Sequence, residues 1–120
     1  MWIDHKETVI VTVSGEREEI TRIPSNMDKH VRYTGEAEDL SGEDKRDRRF
    51  SDHLSKYYDQ VIARVRNAES ILIIGPGEAK GEFAKRLRSE HLGERIVGIE
   101  TADRMTDHQI AARVRQLFLA

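Results

Sequence analysis

The chain reads as a single α/β domain in which a mixed five-stranded sheet carries helices on both faces. Three observations predict this. The N-terminal part is rich in β-branched residues and broken by turn signals, two short apolar runs follow further on, and three stretches of helical periodicity alternate with those runs. The 120 residues, 38% hydrophobic and 35% charged, suit one core of that kind and argue against a second domain.

The first strand is expected over Thr8 to Val13, T-V-I-V-T-V, with Trp2 and Ile3 extending the apolar pattern backward across Asp4 to Glu7. Ser14-Gly15-Glu16 is a turn signal, and Glu18 to Ile23 follows as a solvent-facing strand ending at Pro24, so the two make a hairpin. A weaker third strand is expected over His30 to Thr34, at an edge, because its alternation is short and its flanks are polar. From Gly35 to Arg49 only Ala37 and Leu40 are apolar, too little to offset the entropy of ordering. The expectation for 35–50 is therefore a mobile loop.

Helical periodicity begins at Ser51, an N-cap residue type with Asp52 in the positive first turn. Leu54, Tyr58, Val61, Ile62 and Val65 share one face to about Asn67. Ser70 to Ile74 is apolar almost throughout, as a strand covered on both faces should be, and Gly75-Pro76-Gly77 ends it. Ala79, Phe83, Leu87 and His91 mark one face of a second helix stopped by Gly93. Arg95 to Ile99 is expected as another buried strand. Thr106-Asp107-His108-Gln109 has the capping-box pattern that opens a last helix bearing Ile110, Val114, Leu117 and Phe118. The predicted order is β-β-β-α-β-α-β-α, with the strand at Ile71–Ile74 central and parallel to the one around Ile96, a ribonuclease-H-like arrangement.

Composition excludes several function classes. Twenty Lys and Arg against 22 Asp and Glu give a net charge of -2, so no bulk field draws the protein to nucleic acid, and any RNA contact must come from a local patch. Without cysteine there is no disulfide framework, no Cys-ligated zinc and no thiolate nucleophile. The longest apolar stretch, Ile71 to Ile74, falls far short of the roughly 20 residues of a bilayer span, and no basic segment followed by an apolar core opens the chain. A soluble, cytoplasmic protein with no membrane partner is expected.

The most informative segment runs from Ile71 to Leu87, I-L-I-I-G-P-G-E-A-K-G-E-F-A-K-R-L. A buried strand delivers two glycines to a sharp turn where a helix N-terminus exposes unpaired N–H groups, a setting that favours anions. The plainer explanation is that Gly75 and Gly77 permit a tight turn and Pro76 stiffens it. Neither the Walker spacing nor the dinucleotide fingerprint is met, Gly75, Gly77 and Gly81 missing the latter by one position.

With Gly75, Pro76, Gly77, Lys80 and Phe83, the G-P-G-x-x-K-x-x-F string resembles the strand-to-helix segment in the middle domain of class-one release factors and Pelota. The opening W-I-D-H-K-E-T-V-I-V resembles the first strand of that domain in bacterial release-factor-like, translational-machinery proteins. In release factors the loop between the third strand and the first helix carries a Gly-Gly-Gln tripeptide that enters the peptidyl-transferase centre. Here the corresponding segment, Tyr33 to Phe50, has Gly35 and Gly42 isolated and no Gly-Gly-Gln. The resemblance therefore implies a non-catalytic, ribosome-associated protein rather than an enzyme, without cofactor.

One enzyme reading competes. Ribonuclease-H-like nucleases place an Asp on the first strand within an acidic cluster that holds two magnesium ions, and Asp4 has that position. Only Glu78, Glu100 and Asp103 lie near other strand ends to join it, so Asp4 is expected to be a hydrogen-bonded or solvated residue and no metal site is expected. The histidines at 5, 30, 53, 91 and 108 are scattered and form no H-x-x-x-H pair, and G-x-S-x-G is absent.

The basic run supplies the remaining candidate. Lys45, Arg46, Arg48 and Arg49 can neutralise RNA phosphates, although Asp44 and Asp47 are interleaved and such runs are often simply solvated. Together with Lys80 they form the expected RNA-binding set, with the ribosome or structured RNA as partner. A protein-interaction module or homodimer, using the 30–34 strand or the last helix, is the alternative.

Overall fold

The computed structural model describes residues 1–26 and 42–119, with the backbone alone at 42–49. In chain order the elements are β1 (Trp2–Ile3), β2 (Glu7–Ser14), β3 (Arg17–Pro24), α1 (Gly42–Val65), β4 (Ile71–Gly75), α2 (Ala79–Ser89), a 3-10 turn (Gly93–Arg95), β5 (Ile96–Thr101) and α3 (Asp107–Phe118). The five strands form one mixed sheet in the order β3-β2-β1-β4-β5. Strands β1, β4 and β5 are parallel, and β2 runs antiparallel to both its neighbours.

Among the described residues the order is again β-β-β-α-β-α-β-α, but its first three places are filled by other segments than expected. Trp2–Ile3 and Glu7–Ser14 are two strands, not one. Asp4 Oδ1 accepts the backbone N–H groups of Lys6 and Glu7, each at 2.8 Å, and Asp4 N–H donates to the Glu7 carbonyl at 3.0 Å. These bonds turn the chain back on itself, as short Asp side chains commonly do. The fifth strand is thus β1, while the predicted strand at 30–34 and the 35–41 part of the expected loop lie outside the described residues.

Residues 42–50, expected in that loop, belong to α1. Glu43 and Asp44 suit the positive start of a helix, and Lys and Arg are good helix formers. Once the packed half of α1 is in place, extending it backward adds a hydrogen bond per residue without a new nucleation cost.

Met1 joins β1 to β4. Its amino group donates to the Leu72 carbonyl at 2.7 Å, and its carbonyl accepts Ile74 N–H at 2.8 Å. The β2–β3 hairpin closes through Gly15 and Glu16, with Gly15 at φ +60°, the conformation a II′ turn requires at its first central position. β2 is buried from Thr8 to Val11 and β4 throughout, because both are covered on two faces.

On one face, Ile3, Ile10, Ile71 and Ile73 pack against Tyr58, Val61 and Ile62 of α1 and Phe83 and Leu87 of α2. On the other, Trp2, Val9, Val11, Leu72 and Ile74 pack against Ile110, Ala111 and Val114 of α3. Each fully buried large apolar side chain contributes roughly 1.5–3 kcal/mol. β4 is parallel to β5, as expected, but it lies next to the edge strand, and β1 holds the centre of the sheet that was expected for it. β5 itself is an edge strand, not a buried one: its residues alternate, with Val97 51% and Ile99 41% exposed.

His91 does not continue the apolar face of α2. The helix ends at Ser89, and His91 adopts φ 62° while its N–H bonds the Arg88 carbonyl and Leu92 N–H bonds the Leu87 carbonyl. This is a Schellman ending, with buried Leu92 folded back toward buried Leu87. The expected capping box of α3 is present. Thr106 Oγ1 accepts Gln109 N–H at 3.1 Å, and Gln109 Oε1 accepts Thr106 N–H at 2.9 Å.

Candidate functional site

The parallel strands β1, β4 and β5 all end at one edge of the sheet, where α2 and α3 begin. Strand order reverses between β1 and β4: from β1 the chain proceeds to β2 on one side, and from β4 to β5 on the other. In open α/β sheets ligands favour the crevice outside the carboxyl ends of strands at such a reversal. Here that place is occupied by His5, just beyond β1, and by the turn 75–78.

His5 Nε2 hydrogen-bonds Glu82 Oε1 at 2.9 Å, and the same oxygen accepts the Tyr58 hydroxyl at 2.7 Å. Glu82 lies in the first turn of α2, where a carboxylate complements the helix dipole. Burial, and then the neighbouring carboxylate, push the Tyr58 phenol well above its usual range, so it stays a donor. The His5 and Glu82 side chains are 38% and 39% exposed, and the His5 ring meets Phe50 of α1 edge to face, centroids 6.3 Å apart. Beside them Tyr57 donates to the Asp4 carbonyl at 3.0 Å and its oxygen accepts a hydrogen bond from the Thr8 hydroxyl at 2.6 Å. Arg86 ties α2 to α1 through Ser55 Oγ at 2.8 Å and through Asp59.

The G-P-G-x-x-K-x-x-F residues are explained by the fold. Gly75 is needed because a Cβ there would lie 2.1 Å from the Ile3 carbonyl oxygen, and Gly77 has φ +61°. Lys80, placed in the RNA-binding set, donates to the carbonyl of Gly77 and closes its own turn. Phe83 is fully buried against Tyr58, ring centroids 5.8 Å apart. Lys45, Arg46, Arg48 and Arg49 fall in the first two turns of α1, immediately before Phe50; their side chains lie outside the described residues.

Asp4 is committed to its turn, and Glu100 pairs with Arg113, which holds its carboxyl below the usual range. Among the described residues no three His, Asp or Glu side chains gather as a metal site. A cleft of about 300 Å³ on the α3 side is lined by Trp2, Glu7, Arg22, Arg104 and Asp107, among others. Its charges pair internally: Arg22 binds Glu7 and Asp107, and Arg104 lies 3.5 Å from Glu7. In α3, Ile110 and Val114 are spent on the core, whereas Leu117 and Phe118 remain exposed.

His5, Tyr58 and Glu82 were not singled out as a group in the sequence. Seventy-seven residues separate His5 from Glu82, and nothing local links them. The one usable signal is a polar residue two positions beyond a short strand. No protein-family model matches this chain, and no curated protein or solved structure matches it significantly. Among the described residues no helix is long and apolar enough to cross a membrane.

Proposed function

We propose that this chain is a cytoplasmic, translation-associated protein without catalytic activity that binds the ribosome or structured RNA. Its architecture is read as ribonuclease-H-like, and its affinity as lying with the middle domain of release factors and Pelota. The element order, the mixed sheet with helices on both faces and the G-P-G-x-x-K-x-x-F turn support that affinity.

One observation carries the RNA-binding reading. The run holding Lys45, Arg46, Arg48 and Arg49 belongs to the backbone of helix α1, directly before Phe50. Four cationic residues within five positions of the sequence supply the charge, and phosphate contacts dominate affinity for nucleic acid. The absence of Gly-Gly-Gln from the sequence leaves no group to position water at a peptidyl ester.

Co-sedimentation of the purified protein with ribosomes across a salt series tests the reading. Salt-sensitive pelleting supports it, and a protein that stays in the supernatant at low salt removes it. Added to peptidyl-tRNA-loaded ribosomes, the protein should release no peptide above background. A self-association reading is favoured by the exposed Val97 and Ile99 on edge strand β5; it predicts concentration-dependent sedimentation that is insensitive to RNA.

A further inference from the structure

Resting on the self-association reading, we propose that edge strand β5 takes a second copy of this chain, paired antiparallel about a two-fold axis at Gly98. Val97 of each copy then lies opposite Ile99 of the other. β5 runs from Ile96 to Thr101 and ends the sheet, with no strand beyond it among the described residues. Ala102 N–H reaches inward to the Gly75 carbonyl at 3.1 Å, and because backbone groups alternate along a strand, those of Ile99 and Thr101 point outward. Val97 is the extra residue of a bulge between Ile96 and Gly98, opposed to no residue of β4. The outer side of β5 therefore offers backbone donors and acceptors beside two half-exposed apolar side chains.

The two edges of the sheet differ in how they are guarded. β3, R-E-E-I-T-R-I-P, carries Arg17, Glu18, Glu19 and Arg22 and ends in Pro24, devices that keep an edge from pairing. β5, I-V-G-I-E-T, has a single charge, Glu100, which Arg113 of its own chain neutralises. Its guard is the bulge, which lies at the start of the strand and leaves Gly98 to Thr101 in regular register. The strand is also complementary to itself. With the axis at Gly98, Glu100 faces Ile96 and each exposed apolar residue faces another, a pairing of β-branched side chains that stabilises sheets. An axis at Glu100 would instead oppose two carboxylates and leave Val97 uncovered. A two-fold contact closes on itself, so association stops at two copies, and a net charge of -2 opposes it only weakly. Pairing through one short strand buries little area, which places the dimer among weak, transient ones.

Sedimentation velocity from about 1 μM to 1 mM covers the affinities of such contacts. Wild type, free of RNA, should pass from monomer to dimer across that range. Val97→Lys sets a charge opposite Ile99 of the other copy and should weaken association at least about tenfold. Its melting temperature should stay near that of the wild type, because position 97 is exposed. The chain has no cysteine, so cross-linking reads the register directly. Opposed residues in an antiparallel pair stand within disulfide reach, so Val97→Cys mixed with Ile99→Cys should give the mixed disulfide on oxidation, while neither protein alone cross-links. Equal association of wild type and Val97→Lys, or an Ile99→Cys protein that cross-links to itself as readily as to Val97→Cys, overturns the proposed pairing and leaves self-association standing. A wild type that stays monomeric throughout overturns both.

Discussion

The carbonyl oxygen of Ile3 lies where a side chain on Gly75 would have to be, 2.1 Å from an added Cβ. Gly75→Ala should therefore drive β1 from β4 and cost at least about 1–3 kcal/mol, the range for overpacking a filled interior. Gly81, in the first turn of α2, has nothing within 4 Å of the same position. Gly81→Ala should stabilise by roughly 0.5–1 kcal/mol through helix propensity and a less flexible unfolded chain. Urea midpoints of the two proteins should move in opposite directions, and a Gly75→Ala protein as stable as wild type would show that β1 and β4 are not so close.

Met1 gives a pH dependence with a definite sign. Burial lowers its amino group from 8.0 to about 5. Between those values the unfolded chain holds a proton that the folded chain has lost. Stability from this group consequently rises as pH increases from about 5 to 8, by on the order of 4 kcal/mol in full. An NMR titration of the Met1 α-carbon should show a midpoint near 5 in the folded 120-residue chain. A midpoint near 8 would show an amine still in water.

Thr106 caps α3 through both bonds of its box. Thr106→Ala leaves Gln109 N–H without that acceptor and should cost about 1 kcal/mol, whereas Thr106→Ser keeps the hydroxyl and should stay within a few tenths of wild type. Thermal melts of the three proteins check this, and equal melting temperatures for Ala and Ser would remove the cap from the account.

If Lys45, Arg46, Arg48 and Arg49 each neutralise a phosphate, log affinity for ribosomes should fall against log salt with a slope of about -3 to -4. Changing all four to Ala should flatten that slope. Superimposable binding curves from about 50 to 300 mM salt would take the basic turns out of the site.

Elements whose signals are local were legible in the sequence. The hairpin at Gly15, the buried run of β4, the periodicity of α2 and the cap of α3 each depend on residues within a few positions of one another. What was missed depends on distant ones. Asp4 reads as part of a strand until its side chain is seen bonding the N–H groups that follow, and β5 reads as buried until its place at the end of the sheet is known. His91 has helical spacing, yet the chain turns there so that Leu92 can reach the core. At the site, the glycines were read correctly as turn formers. Lys80 and Phe83, which share their motif, proved to serve the turn and the core, and the exposed polar group that accompanies them comes from the far end of the sequence.

The bond from Met1 to Leu72 spans 71 residues and anchors the shortest strand in the middle of the sheet. The β2–β3 hairpin can form on its own within microseconds, because its partners are neighbours in the chain. The first three residues have no such partner on one side until β4 has been made and brought back. Closing so long a segment costs entropy before any contact repays it, and sequence-distant pairing of this kind slows folding. The two halves of the sheet are therefore joined late, across the shortest of its strands.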